Sequence, residues 1–158
     1  MLDQTDKKII ACLKQNSRMN ASAIGAEVGM SVSAVIERIK KLESAGIIKK
    51  YTVVLDSEKI GLDVCAFIEV GGEHQKYAES HLQVQEYAAQ NQQIVECHVI
   101  TGSSMFILKV VTGSMRDLER ILGELQHLSG VTYTRTSIVL STFKNDLGPS
   151  ADILTVEP

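Results

Sequence analysis

Arg38, Lys40 and Lys41, followed by Lys49 and Lys50, bring five cations close together in the stretch SVSAVIERIKKLESAGIIKKY. Guanidinium and ammonium groups spaced in this way bind phosphate. The residues just before them, Ser31, Ser33 and Ala34, are short. On a helix the stretch separates into two faces. Val32, Val35, Ile36, Ile39 and Leu42 follow i, i+3, i+4, i+7, i+10 and are expected to form one buried stripe. Ser33, Ala34, Glu37, Arg38 and Lys41 fall on the other face, with Lys40 at its edge. Short side chains let a backbone approach base edges, and the cations behind them can reach phosphates along the flank. A helix entering the major groove from its N-terminal end needs that order. The bland alternative is a solvated face on which Glu37 and Lys41 form an i, i+4 pair.

Other chemistries lack their residues. His74, His81, His98 and His127 are scattered, and Glu69 and Glu96 sit in apolar stretches without an acidic or basic partner in sequence. There is no G-x-S-x-G, no P-loop and no H-E-x-x-H, so an enzyme is not expected. The three cysteines, Cys12, Cys65 and Cys97, are widely spaced, with no Cys-x-x-Cys. That spacing argues against a disulfide framework or a zinc site and for reduced thiols in a cytoplasmic protein. Cys97 and His98 would point to opposite faces of a strand. No metal and no cofactor are expected. No apolar run approaches the roughly 18 residues of a membrane span, and the N-terminus has no signal-peptide pattern.

Elements must hold the basic stretch in place. Ile9, Ile10 and Leu13 give a helix from about Asp3 to Gln15, with Asp3 or Thr5 as its cap. Asn20 can cap a short helix, ASAIGAEV, which Gly29 ends in the left-handed conformation. Ser31 can cap a third helix to about Ser44, stopped at Ala45-Gly46. Three short helices with a tight turn between the last two make a helix-turn-helix. The spacing context and the following lysines favour DNA over the solvated-face reading. IIKKYTVVL reads as a strand leading into a linker.

The second half repeats strand–helix–strand. Residues 63–71 read as a strand, 75–91 as a helix with Tyr77, Ala78, His81, Leu82, Val84 and Ala88 on its apolar side, and 94–100 as a strand. Then 105–112 reads as a strand, 114–128 as a helix with a Leu118, Ile121, Leu122, Leu125 stripe, and 131–143 as a long strand. The second unit is offset from the first by about 42 residues. Two such units make a ferredoxin-like βαββαβ sandwich, so the class is α+β. The expected division is a head at 1–50, a hinge strand and linker at 51–62, the sandwich at 63–143 and a tail at 144–158, loose or docked on a partner subunit.

Charge follows the same division. Residues 1–60 hold ten Lys/Arg against seven Asp/Glu, a net of +3, and residues 61–158 hold six against twelve, a net of −6. A basic head on an acidic remainder suggests two modules with different partners.

LDQTDKKIIACLKQNSRMN, IGAEVGMSVSAVIERIKKLESAGIIKKYTVVLD and the IG before the AFIEV strand resemble the Lrp/AsnC, or feast/famine, transcriptional regulators over essentially residues 2–143. The resemblance is most specific in Ser31…Arg38-Ile39-x-x-Leu42-Glu43-x-x-Gly46-Ile47-Ile48, in Thr101-Gly102 and in Gly130-Val131…Thr136-x-Ile138-Val139-Leu140. It implies a winged helix-turn-helix that binds double-stranded DNA, joined to a ferredoxin-like domain. It further implies homodimers formed through that domain, with assembly to tetramers or octamers, and a small effector such as an amino acid bound between dimers. The family's effector loop falls on Thr101, Gly102, Ser103, Ser104 and Met105, with Thr134, Thr136 and Ser137 nearby. Many members carry acidic residues directly after that glycine and again two positions later, where this chain has Ser103 and Met105. Either the ligand differs, or backbone groups hold it, or amino acids are ignored. TGSSMF also reads as a simple hairpin turn with Met105 in the core. An architectural DNA-wrapping protein with weak sequence preference and no amino-acid response is the alternative function.

Overall fold

A computed structural model describes residues 2–73 and 76–154. His74 and the first residue of the expected 75–91 helix lie outside the described residues. The chain divides into two compact units. One joins the residues up to Val54 with those from Lys144 on, and the other is Leu55–Phe143.

The first unit is helical. Helix α1 (Gln4–Gln15) starts at a reciprocal capping box in which Asp3 accepts from the Asp6 N–H and Asp6 accepts from the Asp3 N–H. Helix α2 (Ala21–Val28) is capped by Asn20 and ends at Gly29, whose φ of 72° only glycine adopts without strain. Helix α3 (Val32–Ser44) is capped by Ser31. Ile9, Ile24, Val35 and Leu42 are buried together at the centre.

Two expectations change here. Val32 and Ile36 are 46% and 43% exposed, so they leave the buried stripe; Ile39 is partly buried. At about 100° per residue, Val32 and Ile36 lie on the shoulder of the face that Val35 and Leu42 centre. The expected strand through IIKKYTVVL is absent: residues 49–56 are irregular. β-branched residues favour a strand only where a neighbour completes the ladder, and this segment has none among the described residues.

The described part of the tail, up to Leu154, is held by contacts to α1. A short 3-10 turn, Ala151–Ile153, packs beside α1, and Ala151 is buried. Lys14 Nζ donates to the carbonyls of Leu147, Gly148 and Pro149, and Lys7 Nζ to that of Asp152.

The second unit is a four-stranded antiparallel sheet in the order β2-β3-β1-β4. The strands are β1 (Val64–Gly72), β2 (Ile94–Val99), β3 (Phe106–Thr112) and β4 (Val131–Ile138). Helices α4 (Tyr77–Gln90) and α5 (Met115–Gln126) cover one face. Ala66, Ile68, Val70, Phe106, Leu108 and Val110 point to that side and meet Val84, Leu118, Ile121 and Leu125. This is the expected ferredoxin-like sandwich. β4 stops at Ile138, short of the expected 143, close to the start of β1: Ile138 faces Ala66, and the Val139 N–H donates to the Cys65 carbonyl.

The inner face of α4 also differs. Ser80 and Val84 are buried with Tyr87 and Ala88 behind them, whereas Tyr77, Ala78 and Leu82 are exposed. Ser80 fits because Gly130 stands against it, and its hydroxyl is satisfied by the carbonyls of Lys76 and Tyr77. Among the described residues no helix is long and apolar enough to cross a membrane, and no group of three potential metal ligands gathers.

Candidate nucleic-acid interface and ligand loop

The position of α3 is set by a close approach at its entry. Gly25 lies inside α2 with no room for a side chain, since a Cβ there would stand 2.6 Å from the Met30 carbonyl oxygen. The Met30 N–H also donates to the Gly25 carbonyl. The turn is therefore drawn tight between α2 and α3, and Ser31 can close it by capping Ala34 N–H at 3.3 Å.

The nine residues singled out for DNA take up different positions. Ser33, Glu37 and Lys40 lie on the outer face of α3 and are exposed. Ser31 is exposed at its N-cap and is shared with Ser33 through a 3.2 Å hydroxyl contact. Ala34 is half-buried and lines a groove with Leu2, Asp3 and Asp6. Lys41 pairs with Glu37 at 3.0 Å, which holds the Glu37 carboxyl below its ordinary value. The ammonium group of Lys41 is most of the cause. Lys40, Lys49 and Lys50 are exposed and have no ion-pair partner among the described residues.

Arg38 is turned inward. Its Nη1 donates to Asp3 Oδ2 at 2.6 Å and to Asp6 Oδ1 at 2.7 Å. These are the two carboxylates of the α1 capping box. The guanidinium is held in its charged form chiefly by Asp6 and then by Asp3. The Asp3 carboxyl is held low first by the Asp6 N–H and next by Arg38. Sequence spacing gave Arg38 to the outer face, and only the fold reveals its partners. Tyr51 is a second residue the sequence reading passed over. Its hydroxyl donates to Glu43 at 2.9 Å and ties the Lys49-Lys50 segment back to the end of α3. Burial first, and the Glu43 carboxylate second, push the phenol up to about 12.

In the second unit the loop between β2 and β3 is pinned against the helix-free face of the sheet. Met105 N–H donates to the Val70 carbonyl at 2.8 Å. Ser104 is buried and its hydroxyl donates to Glu69 at 2.7 Å. Tyr133 OH donates to the Ser103 carbonyl at 2.7 Å and lies 3.2 Å from Ser104 Oγ. Arg135 reaches Glu69 at 3.7 Å. Two glycines make this possible: a Cβ on Gly71 would strike the Tyr133 ring, and one on Gly72 would meet Gly130 O and the end of Met105.

Of the eight residues singled out for an effector, Thr101, Gly102 and Ser103 are exposed, while Ser104 and Met105 are buried beneath them. Met105 thus belongs to the core, as the hairpin reading has it. Thr134 and Thr136 point to the helix side, where Thr134 accepts from Gln126. Ser137 is on the opposite face. No hydrogen bond joins these three to the loop among the described residues. The side chains brought to the loop are instead Glu69 and Tyr133, with Arg135 beside Glu69. Glu69 reaches the loop from the neighbouring strand β1, through Ser104. Its one sequence signal was a lone glutamate inside the apolar AFIEV.

Tyr133→Phe should loosen the loop by about 1 kcal/mol, the net worth of a hydrogen bond. The expected sign is faster amide hydrogen exchange at 101–104 with no change in α5. Unchanged exchange in that loop would show that Tyr133 does not hold it.

Comparison with known proteins follows this division. Residues 2–49 match a family described as winged helix-turn-helix DNA-binding, and residues 65–149 match the Lrp/AsnC ligand binding domain. The chain is 36% identical to the HTH-type transcriptional regulator FL11 of Pyrococcus horikoshii, covering 90% of this chain and 92% of the relative. It is 33% identical to the transcriptional regulator AzlB of Bacillus subtilis, covering 96% and 97%. The transcriptional regulator NMB0573 of Neisseria meningitidis, solved as an L-Met complex, superposes with a TM-score of 0.86 at 28% identity, covering 94% and 97%.

Proposed function

We propose, from the premise that this chain belongs to the Lrp/AsnC family and is a transcriptional regulator of that type with a ligand-binding domain, that the outer face of α3 reads double-stranded DNA. Ser31, Ser33, Glu37 and Lys40 would face the groove, and Lys41, Lys49 and Lys50 its phosphates. Arg38 would act one step back, as the strut that sets the pitch of α3. The observation that carries this reading is the set of exposed lysines, Lys40, Lys49 and Lys50, around the short-chained start of α3. Phosphate contacts of this kind give salt-dependent affinity, and base contacts give choice.

A homodimer formed through the second unit is the expected working form, with tetramers or octamers built from it. The helix-free face of the sheet supports this, for it carries half-exposed Phe67 and Tyr133 beside Ile107 and Val111. Such a face on a lone sheet is a candidate for burial against a second copy. The effector would be an amino acid at the exposed edge of Thr101, Gly102 and Ser103. Glu69 would receive the α-ammonium group that an acidic loop residue takes in many relatives, and Arg135 the α-carboxylate. The L-Met complex of the Neisseria neighbour supports that ligand class. The protein would act in the cytoplasm.

Fluorescence anisotropy with the gene's own upstream duplex and a scrambled duplex, across a salt series and with or without L-methionine, tests all of this. Tight, salt-dependent binding that prefers the upstream duplex and shifts with the amino acid is expected. Equal affinity for both duplexes would favour the architectural reading. Lys49→Ala and Lys50→Ala should each lower the slope of log affinity against log salt by about one, one phosphate apiece. A slope left at the wild-type value would take that lysine off the backbone.

A further inference from the structure

Val32 and Ile36 belong by type to a core and by position to the outer face of α3. Each is close to half exposed, at 46% and 43%. They stand four residues apart, so their side chains are neighbours on one side of the helix. Ser33, Glu37 and Lys40 surround them on that face. Tight capping at Ser31 and the close approach at Gly25 fix this first turn firmly, so the two side chains are presented rather than loosely held. Water gains nothing from such a pair, and the helix loses solubility by showing it.

We propose that Val32 and Ile36 read thymine, through its methyl group, in the DNA that α3 contacts; this rests on the DNA-reading role given to α3 above. The base edges in the major groove are mostly donors and acceptors, and the C5-methyl of thymine is the apolar feature among them. An aliphatic pair there gains by covering that methyl and leaves the groove polar groups of guanine and cytosine unpaired. The polar neighbours then have a complementary task. Ser33 can serve either partner, Glu37 can accept from a cytosine amino group, and Lys40 can reach a guanine or a phosphate. The recognised half-site should therefore contain thymine where Val32 and Ile36 fall, with hydrogen-bonded bases to either side.

The full-length protein and a duplex selected from a randomised library provide the test. Deoxyuridine differs from thymidine at the base edge only by the missing methyl. Replacing the thymines of the selected half-site by deoxyuridine should weaken wild-type binding about fourfold for each methyl covered. Val32→Ala and Ile36→Ala should bind the selected duplex more weakly and lose the distinction between the two duplexes. Val32→Ser and Ile36→Ser, which keep no γ-methyl, serve if the alanine variants melt early, and the wild-type comparison stands without any variant. A wild-type protein that prefers the selected duplex to a scrambled one, yet binds the deoxyuridine form equally well, overturns this inference and leaves DNA reading intact. Variants that stay sensitive to the methyl groups overturn it too, by moving the contact to other residues. No preference for the selected duplex overturns the role of α3 and this inference together.

Discussion

Gly25→Val should cost the protein its specific DNA binding, with affinity for a cognate duplex falling about a thousandfold toward the nonspecific level. The reason is steric. A Cβ at Gly25 would lie 2.6 Å from the Met30 carbonyl oxygen, which is backbone and cannot swing aside. Valine adds two methyl groups beyond that Cβ, which would itself stand 3.7 Å from a Val35 methyl. The turn must open, and α3 must move away from α2. Overpacking of this kind costs about 1–3 kcal/mol in stability. The head should still fold, since Ile9, Ile24 and Leu42 remain in place. Binding should thus fall much more than the melting midpoint. Calorimetry and anisotropy on the same preparation separate the two. A variant with wild-type affinity would mean that the close approach at Gly25 does not set the pitch of α3.

Arg38→Ala is the second large effect, and its signature is stability rather than salt. The guanidinium joins α3 to both carboxylates at the start of α1. Removing it leaves Asp3 and Asp6 facing each other without a cation, and the half-buried Asp6 is the worse placed of the two. Hydrogen bonds to charged groups are worth about 1.5–3 kcal/mol, and partial solvent exposure of this pair brings the expected loss to about 1–2 kcal/mol. The slope of affinity against salt should stay near wild type. A slope lowered by about one, with unchanged melting, would return Arg38 to the phosphate backbone. The same site gives the head an acid limit. Asp3 has its folded value lowered, chiefly by the Asp6 N–H and then by Arg38. A lowered carboxylate contributes stability that is fully present above the ordinary aspartate range. That contribution is lost as pH falls through the lowered folded value. Thermal melts from pH 7 down to about 3 should show the wild type losing stability there. Arg38→Ala should lose less of it.

Much of this is legible in the sequence. The caps Asp3, Asn20 and Ser31 each sit where their side chains accept from the helix they start. The α5 stripe of Leu118, Ile121 and Leu125 is buried, and Leu122 packs beside it. These features depend on neighbours within a turn or two, so spacing reveals them. The misses share a different cause. Val32 and Ile36 fit a 3.6-residue stripe, but a stripe's width is set by what packs against it, and that is distant in sequence. Arg38 lies on the side of α3 that meets Asp3 and Asp6, residues 32 to 35 positions away. Glu69 reaches Ser104 across 35 positions, so no local reading could bring it to the loop. Residues 51–55 have strand composition and no strand partner among the described residues, and composition says nothing about partners.

The tail has a mechanical consequence. Residues from Lys144 on return to the helical unit and are fastened to α1 at Lys7 and Lys14. The polypeptide therefore passes between the two units twice, once on the way out and once on the way back. The helical unit is therefore closed by two stretches of chain with residues 55–143 looped between them, and it is complete only once the whole of the other unit has been passed. Removing the residues from Lys144 on would leave Lys7 and Lys14 without these carbonyl partners, and it would do so without removing any residue assigned to DNA or to the ligand loop.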